Sequence, residues 1–427
     1  MTASINANTT SGVVVTSDTS GALALQTAGT TALSISSGQV VTLTNALPVA
    51  SGGTGSSTLA GANIATTNSS TQSITSINTF GFKNRIINGG MVIDQRNAGA
   101  SVTPTNGQYL VDRFGSGLTQ ASKYTAQQST TAPTGFINSQ SITSSSAYSI
   151  TSTDRFWIYQ PIEGLNVSDL AWGTASAATV TLSFWVRSSL TGTFGGALQN
   201  GAQNRSYPFS YTINAANTFE QKSITIVGDT SGTWTTTNAV GIFLNIGLGV
   251  GSSFSGTAGS WSGSNYFSAT GATSVVGTNG ATFYITGVQF EVGTQATSFD
   301  FRDYGRELIL CQRYCYQALG REAGSTLSDW GGVGATLSTT YQTTPIQLPV
   351  TMRSASGQSI FLTSAASNYY ALNGSGSPLN ATNVTLDTPS VRCPVIGVTV
   401  SSGLTVGQAG GLYTGNSSNK IFITSEL

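Results

Sequence analysis

The chain has 427 residues, enough for two or three domains of ordinary size. Only 7% are charged, Lys and Arg (16) balance Asp and Glu (16), and histidine is absent. A zero net charge argues against nucleic acid and against an anionic membrane surface, since both need clustered Lys and Arg. Without histidine, Ser-His-Asp, Cys-His and His-metal chemistry drop out. Hydrophobic residues still make up 39%, so the sequence folds rather than staying disordered. No apolar run approaches the roughly 18–20 residues of a membrane span. The MTASINANTT start lacks the basic patch and apolar core of a secretory signal.

From Met1 to Thr79 there is no Phe, Tyr or Trp, and Asp18 is the only charge. Short runs such as Val13–Val15, Ala22–Leu25 and Gln39–Leu43 read as strands, punctuated by Gly12, Gly21, Gly29 and Gly38. These strands offer only Val, Leu, Ile and Ala to bury, too little in one copy to offset the ordering entropy. Three copies wound together bury the same side chains on a common axis and remove exposed edges. The expectation is an intertwined β stalk up to about Val49, followed by a glycine joint at Gly52-Gly53-Thr54-Gly55.

Aromatic and charged residues begin at Phe80. In Val180–Arg187 the even positions are apolar, and so they are from Val240 to Val250, where the odd face holds Gly241, Phe243, Asn245, Gly247 and Gly249. Such half-buried strands separated by turn signals predict a jelly-roll β-sandwich over residues 80–302. The strand Phe283–Val292 changes parity midway: Phe283 and Ile285 share one parity, Val288, Phe290 and Val292 the other. A bulge at Gly287 would bring both sets to one side.

From Asp303 to about Leu319, Tyr304, Leu308, Cys311, Cys315 and Ala318 recur at 4-3-4-3 spacing, predicting an amphipathic helix within residues 303–322 with Asp303 as N-cap. It would pack on its own sandwich or join a three-chain bundle. Residues 323–427 return to Ser, Thr and Gly with alternating runs at Ile346–Val350, Val395–Val400 and Lys420–Thr424, a second, smaller β domain. The three cysteines, Cys311, Cys315 and Cys393, read as free structural thiols of a chain folded in a reducing compartment, not as a metal site.

Three stretches resemble segments of bacteriophage tail-fibre proteins. Val49–Gly61, around Gly52–Gly55, is similar to the glycine joint that follows their stalk. Phe82-Lys83-Asn84-Arg85-Ile86-Ile87-Asn88-Gly89-Gly90-Met91, with Asp94-Gln95-Arg96 and Tyr109–Phe114, resembles the opening of a module common in phage fibres and prophages. Gly287–Gly293, then Phe299, Arg302, Tyr304, Glu307 and Cys311-Gln312-Arg313-Tyr314, resembles its close. The resemblance implies a virion structural protein assembled in the host cytoplasm, its jelly-roll similar to carbohydrate-binding modules. It further implies a homotrimer, with residues 1–79 meeting tail or adaptor proteins of the particle and another part meeting a glycan or protein of the host surface. No catalytic residue and no cofactor is implied. Asn84, Arg85, Asp112 and Arg113 are expected in buried polar pairs, as are Arg302 and Glu307.

Glycan binding needs aromatic faces ringed by hydrogen-bonding groups. By strand parity Trp157 and Tyr159 oppose Phe156 and Ile158, and Trp185, with Arg187 beside it, opposes Phe184 and Val186. These four are candidate platforms of the body. In the carboxy-terminal domain Trp330, Tyr341, Tyr369, Tyr370 and Tyr413 sit among turn-forming residues and are candidate receptor contacts. Two other readings remain open: an architectural head, collar or tail fibre that binds no receptor, and a polysaccharide depolymerase working through paired carboxylates. The nearest sequence pairs are Asp300 with Asp303 and Glu163 with Asp169, in contexts where salt bridges and caps are the commoner use.

Overall fold

Among the described residues, most of the period-two alternation becomes strands. A computed structural model describes residues 23–27, 30–38, 41–43, 82–319, 329–373, 375–414, 416 and 418–427. The protein is nearly all β, with one α-helix among the described residues. It divides into two compact units, Met1–Thr79 and Phe80–Leu427.

In the first unit β1 (Leu23–Thr27), β2 (Thr30–Ile35) and β3 (Val41–Leu43) form an antiparallel meander. Leu25 is 46% exposed and Val41 58% exposed, so this small sheet leaves apolar side chains in solvent. The glycine joint at Gly52–Gly55 lies outside the described residues.

The second unit opens with the sandwich. Its strands are β4 (Gly115–Leu118), β5 (Tyr124–Ser129), β6 (Ser139–Ser144), β7 (Arg155–Glu163), β8 (Val180–Ser188), β9 (Gly192–Asn200), β10 (Ser206–Ile213), β11 (Glu220–Ile226), β12 (Val240–Val250), the short β13 (Ser255–Gly256) and β14 (Ser268–Ala269), and β15 (Thr282–Val292). Two five-stranded antiparallel sheets result, ordered β10-β9-β12-β7-β4 and β11-β8-β15-β6-β5. This is a jelly-roll-like sandwich. The alternating positions close the core: Val180, Leu182, Phe184 and Val186 from one sheet meet Phe156, Ile158, Ile242, Leu244, Ile246 and Leu248 from the other, all at most 2% exposed. Each such side chain contributes about 1.5–3 kcal/mol of burial.

The bulge in β15 forms at Gly287, where φ is +61° and the β15–β8 register shifts between Thr286 and Gln289. Phe283, Ile285, Val288 and Phe290 thereby all enter the core at 0% exposure. A side chain at 287 would need the left-handed region, and its Cβ would fall 2.7 Å from the Phe136 ring.

The helix is shorter than the spacing predicted. Asp303 caps it, its carboxylate accepting from Arg306 N at 2.9 Å, but α1 spans Tyr304–Gln312 only. Cys315 and Ala318 belong to a strand, β16 (Cys315–Leu319), which pairs with the last strand of the chain. That long-range pairing carries no local periodic signal, and residues 320–322 lie outside the described residues. Beyond it come β17 (Asp329–Thr336), β18 (Tyr341–Pro345), β19 (Ser359–Leu362), β20 (Tyr369–Leu372), β21 (Pro378–Thr388), β22 (Val395–Val400), β23 (Ala409–Thr414) and β24 (Ile421–Thr424). Six close a barrel, β17-β18-β22-β21-β20-β23, and β16-β24-β19 form a separate sheet. Ile346–Val350 is not a strand, although Ile346 and Leu348 are buried and donate backbone bonds to Pro394 and Arg392.

Sandwich, helix and the carboxy-terminal end of the chain are tied by polar groups, many of them buried. Asn84 Oδ1 accepts from Ile86 N and Phe290 N, fastening the module's opening to its closing strand. Arg302 pairs with Glu307 at 3.4 Å, as the resemblance implied. The four opening residues are likewise buried in polar contacts, with partners from elsewhere in the chain: Arg85 takes Asp169, Asp112 takes Gln95 and Arg96, and Arg113 takes Glu426. Glu163, 2% exposed, receives Arg313 at 2.6 Å and the Tyr314 hydroxyl at 2.6 Å.

Candidate functional site

The outer face of the β10-β9-β12-β7-β4 sheet is built by the odd positions of β7 and β12. Trp157 stands opposite Gly247 and Gly117, and Tyr159 opposite Asn245 and Gly115. The glycines let the rings lie down on the sheet. A Cβ on Gly117 would fall 2.2 Å from the Trp157 ring, and one on Gly115 2.5 Å from the Tyr159 ring. Trp157 and Tyr159 are thus neighbouring plates, with centroids 6.3 Å apart and planes at 36°.

Two further rings pack against these plates, Phe267 buried and Phe243 half-buried. Phe267 lies 4.7 Å from Trp157, and Phe243 lies 6.2 Å from Tyr159. Together the four rings, with Asn245, Gln203 and Asn106, line a concave groove of about 230 Å³. Beside it runs a chain of side-chain amides: Asn245 Nδ2 donates to Gln199 Oε1 at 2.9 Å, and Gln199 Nε2 donates to Asn265 Oδ1 at 2.5 Å. Asn245 and Gln199 are buried and brace the groove from beneath, while Asn106 and Gln203 carry polar groups at its surface. Apolar ring faces beside such groups suit a polyhydroxylated ring, whose C–H face stacks while its hydroxyls hydrogen-bond. At the Tyr159 end Tyr109 stacks edge-on at 6.1 Å, and its hydroxyl donates to Leu427 O at 3.3 Å.

The other predicted platform is on the opposite side of the sandwich. Trp185 and Arg187 lie on the outer face of β8. The guanidinium carbon of Arg187 is 5.0 Å over the Tyr284 ring and 5.9 Å over Phe219. Trp185 lies beside the Gly287 bulge, 3.0 Å from where a Cβ at 287 would fall. These two side chains do not join the Trp157–Tyr159 groove.

The carboxy-terminal candidates divide, and the expectation of exposed loop aromatics is corrected for two of them. Tyr369 is fully buried in β20, its hydroxyl donating to Lys420 O at 2.7 Å, and Tyr413 is 1% exposed in β23. Tyr370 is half-buried and stacks on Tyr413 at 5.2 Å. Tyr341 is half-buried over Gly397, with its hydroxyl on Asp387 at 2.8 Å. Trp330 lies opposite Tyr413 in the β17–β23 ladder; its side chain lies outside the described residues. Strand parity, with 369 pointing in and 370 out, was the signal that the Ser- and Asn-rich surroundings obscured.

The carboxylates considered for catalysis are held in structural roles. Asp169 makes a bidentate pair with Arg85 at 2.7 and 2.8 Å. Glu163 is engaged by Arg313 and Tyr314, Asp303 caps α1, and Asp300 lies 3.8 Å from Arg302 Nε. Among the described residues no group of three or more Cys, Asp or Glu is placed to hold a metal ion. Cys311 and Cys315 are buried free thiols whose pKa burial pushes up. No helix among the described residues is long and apolar enough to cross a membrane.

No protein-family model matches the sequence. No curated protein sequence matches it either. Among solved structures, the chain is similar to the enzymatically active domain of tailspike protein 4 of bacteriophage CBA120, at 14% identity and TM-score 0.27, over 49% of this chain. The match spans only 21% of that tailspike chain. It is also similar to a CBM4 module, at 14% identity and TM-score 0.24, over 48% of this chain and 98% of that one. A family 11 carbohydrate-binding module from Clostridium thermocellum, in complex with a β-1,3-1,4-mixed-linked tetrasaccharide, matches at 9% identity and TM-score 0.24, over 46% and 98%.

Proposed function

We propose that this chain is a non-catalytic structural protein of a bacteriophage virion, a homotrimeric fibre that attaches to a host-surface glycan through the Trp157–Tyr159 groove of its jelly-roll body. The observation that carries the glycan reading is the pair of rings laid over Gly117 and Gly115, in a groove that Asn106 and Gln203 also line. Glycines that leave room for flat aromatic plates form a preorganised stacking site. The virion assignment rests on the fibre-like signatures at residues 82–114 and 287–314. Trimerisation is supported by the exposed Leu25 and Val41 of the first unit, which further copies would cover. The particle-proximal role of residues 1–79 belongs to the same resemblance.

The decisive experiment is adsorption of phage, or of purified fibre, to host cells with Trp157→Ala and Tyr159→Ala. Loss of adsorption with unchanged native mass supports receptor binding at the groove. Unchanged adsorption by the double variant removes the groove and favours the architectural fibre. Release of reducing ends from host polysaccharide by purified protein would overturn the non-catalytic reading.

A further inference from the structure

One cation at the edge of the aromatic groove, Arg155, meets no carboxylate among the described residues. The guanidinium carbon of Arg155 lies 4.1 Å over the Phe254 ring, 4.9 Å over Phe267 and 5.6 Å over Trp157. Phe267 and Trp157 are walls of the groove. Arg155 therefore continues the row that Tyr159 and Trp157 begin along β7, at the end away from Leu427.

Most of the arginines facing the interior meet a carboxylate. Arg85, Arg96, Arg113, Arg205, Arg302 and Arg313 each pair with Asp or Glu within 4 Å. Arg155 pairs with none among the described residues. Its Nε is buried without a partner, and its terminal nitrogens make no hydrogen bond to the described residues. The neighbouring carboxylate, Asp154, is turned to Thr119, Tyr148 and Thr151. Burial lowers the guanidinium's pKa with no carboxylate to offset it.

Ring faces attract the cation but leave its in-plane N–H donors unmet. A guanidinium lying over an aromatic face keeps its planar fork directed outward, and that fork fits a carboxylate through two parallel hydrogen bonds. No Asp or Glu side chain lines the groove; Leu427, the last residue of the sequence, lines it at the Tyr159 end, away from Arg155. We infer that the Arg155 end of the groove receives the carboxylate of an acidic sugar, so that the ligand is a uronic-acid-type glycan stacked on Trp157 and Tyr159. This rests on the glycan reading of that groove and narrows it.

The test is affinity electrophoresis of the full chain through gels holding polygalacturonate, alginate or hyaluronan, each beside its carboxyl-reduced form and beside neutral dextran and mannan. The expected result is retention by at least one acidic polymer about tenfold or more stronger than by its reduced form, the size of one charge-assisted contact. Raising ionic strength should erode that difference. Arg155→Gln should abolish the preference while keeping residual binding, and Trp157→Ala should abolish binding of both forms. Arg155→Lys, which keeps charge without the fork, should fall between. Equal retention of acidic and reduced polymers by the wild-type protein overturns the Arg155 inference and leaves the groove intact. Retention of neutral polymers alone does the same. Retention of no polymer at all overturns the inference and the groove together. The salt series uses unmodified protein, so it decides the matter even if Arg155→Gln fails to fold.

Discussion

Arg113 and Glu426, 313 residues apart in sequence, form an ion pair where the sandwich meets the carboxy-terminal sheet. Arg113 is 1% exposed; it also donates to Pro161 O at 2.7 Å and lies 3.6 Å over the Tyr314 ring. Glu426 takes a second guanidinium, Arg96, at 2.8 Å. Removing the carboxylate leaves two arginines without it, so Glu426→Gln should cost about 3–5 kcal/mol. An Arg113→Met, Glu426→Leu double variant should lose less, because only Arg96 then loses a partner, and it keeps Asp112 at 3.7 Å. Urea denaturation measures both; a loss below about 1 kcal/mol for Glu426→Gln would show that the pair does not fasten the two parts.

The groove depends on glycine under tryptophan. Gly117→Ala places a Cβ where the Trp157 ring now lies, 2.2 Å from its nearest atom. The ring is a side chain that can swing away, so the fold should survive while the plate tilts off the sheet. Glycan or host binding should fall about tenfold or more, with a change in indole fluorescence and a melting temperature within a few degrees of wild type. Binding unchanged in Gly117→Ala would show that the flat ring is not the recognition element.

Much of this was legible in the sequence where the information is local. The parity break at Gly287 required a bulge, and the left-handed glycine supplies it. The outward parity of Trp157 and Tyr159 placed them on one face, and the odd face of Val240–Val250 already held Phe243 and Asn245. Phe267 could not be found that way, because it comes from an irregular stretch and only the tertiary fold brings it to Trp157. Cys315–Leu319 failed for a related reason. Its apolar residues satisfy a helical spacing, but the partner that makes it a strand, Ile421–Thr424, is about a hundred residues away. Pairing at that separation outweighs local periodicity once it buries both strands.

Tyr369 and Tyr370 should separate cleanly when mutated singly. Tyr369→Ala empties a fully buried ring position and removes the hydroxyl bond to Lys420 O. Its cost should be about 3–5 kcal/mol, as for other large buried aromatics. Tyr370→Ala removes a half-buried ring stacked on Tyr413 and should cost about 1 kcal/mol. Any adsorption defect in Tyr369→Ala should then track unfolding, seen as increased protease sensitivity of the barrel. A Tyr369→Ala protein with wild-type stability would contradict its place in the core.

Mild acid should stabilise the body. Burial pushes the Asp112 carboxyl up to about 6, outweighing Arg96 at 3.7 Å and the hydrogen bonds from Gln95. Burial likewise raises Asp94, against backbone hydrogen bonds from Gly99 and Asn97. A carboxyl whose folded pKa exceeds its unfolded value of about 4 binds its proton more tightly in the folded state. Its contribution is therefore complete below about pH 4 and is lost as pH rises through about 6. Hydrogen bonds depress Asp154, and those on Glu220 hold it at about 2 despite its burial, so neither titrates between pH 5 and 7 to oppose the trend. The denaturation midpoint should rise from pH 7 to pH 5, and Asp112→Asn should flatten that rise. A wild-type midpoint that falls over this interval, or a slope unchanged in Asp112→Asn, would mean that the Asp112 carboxylate stays ionised beside Arg96.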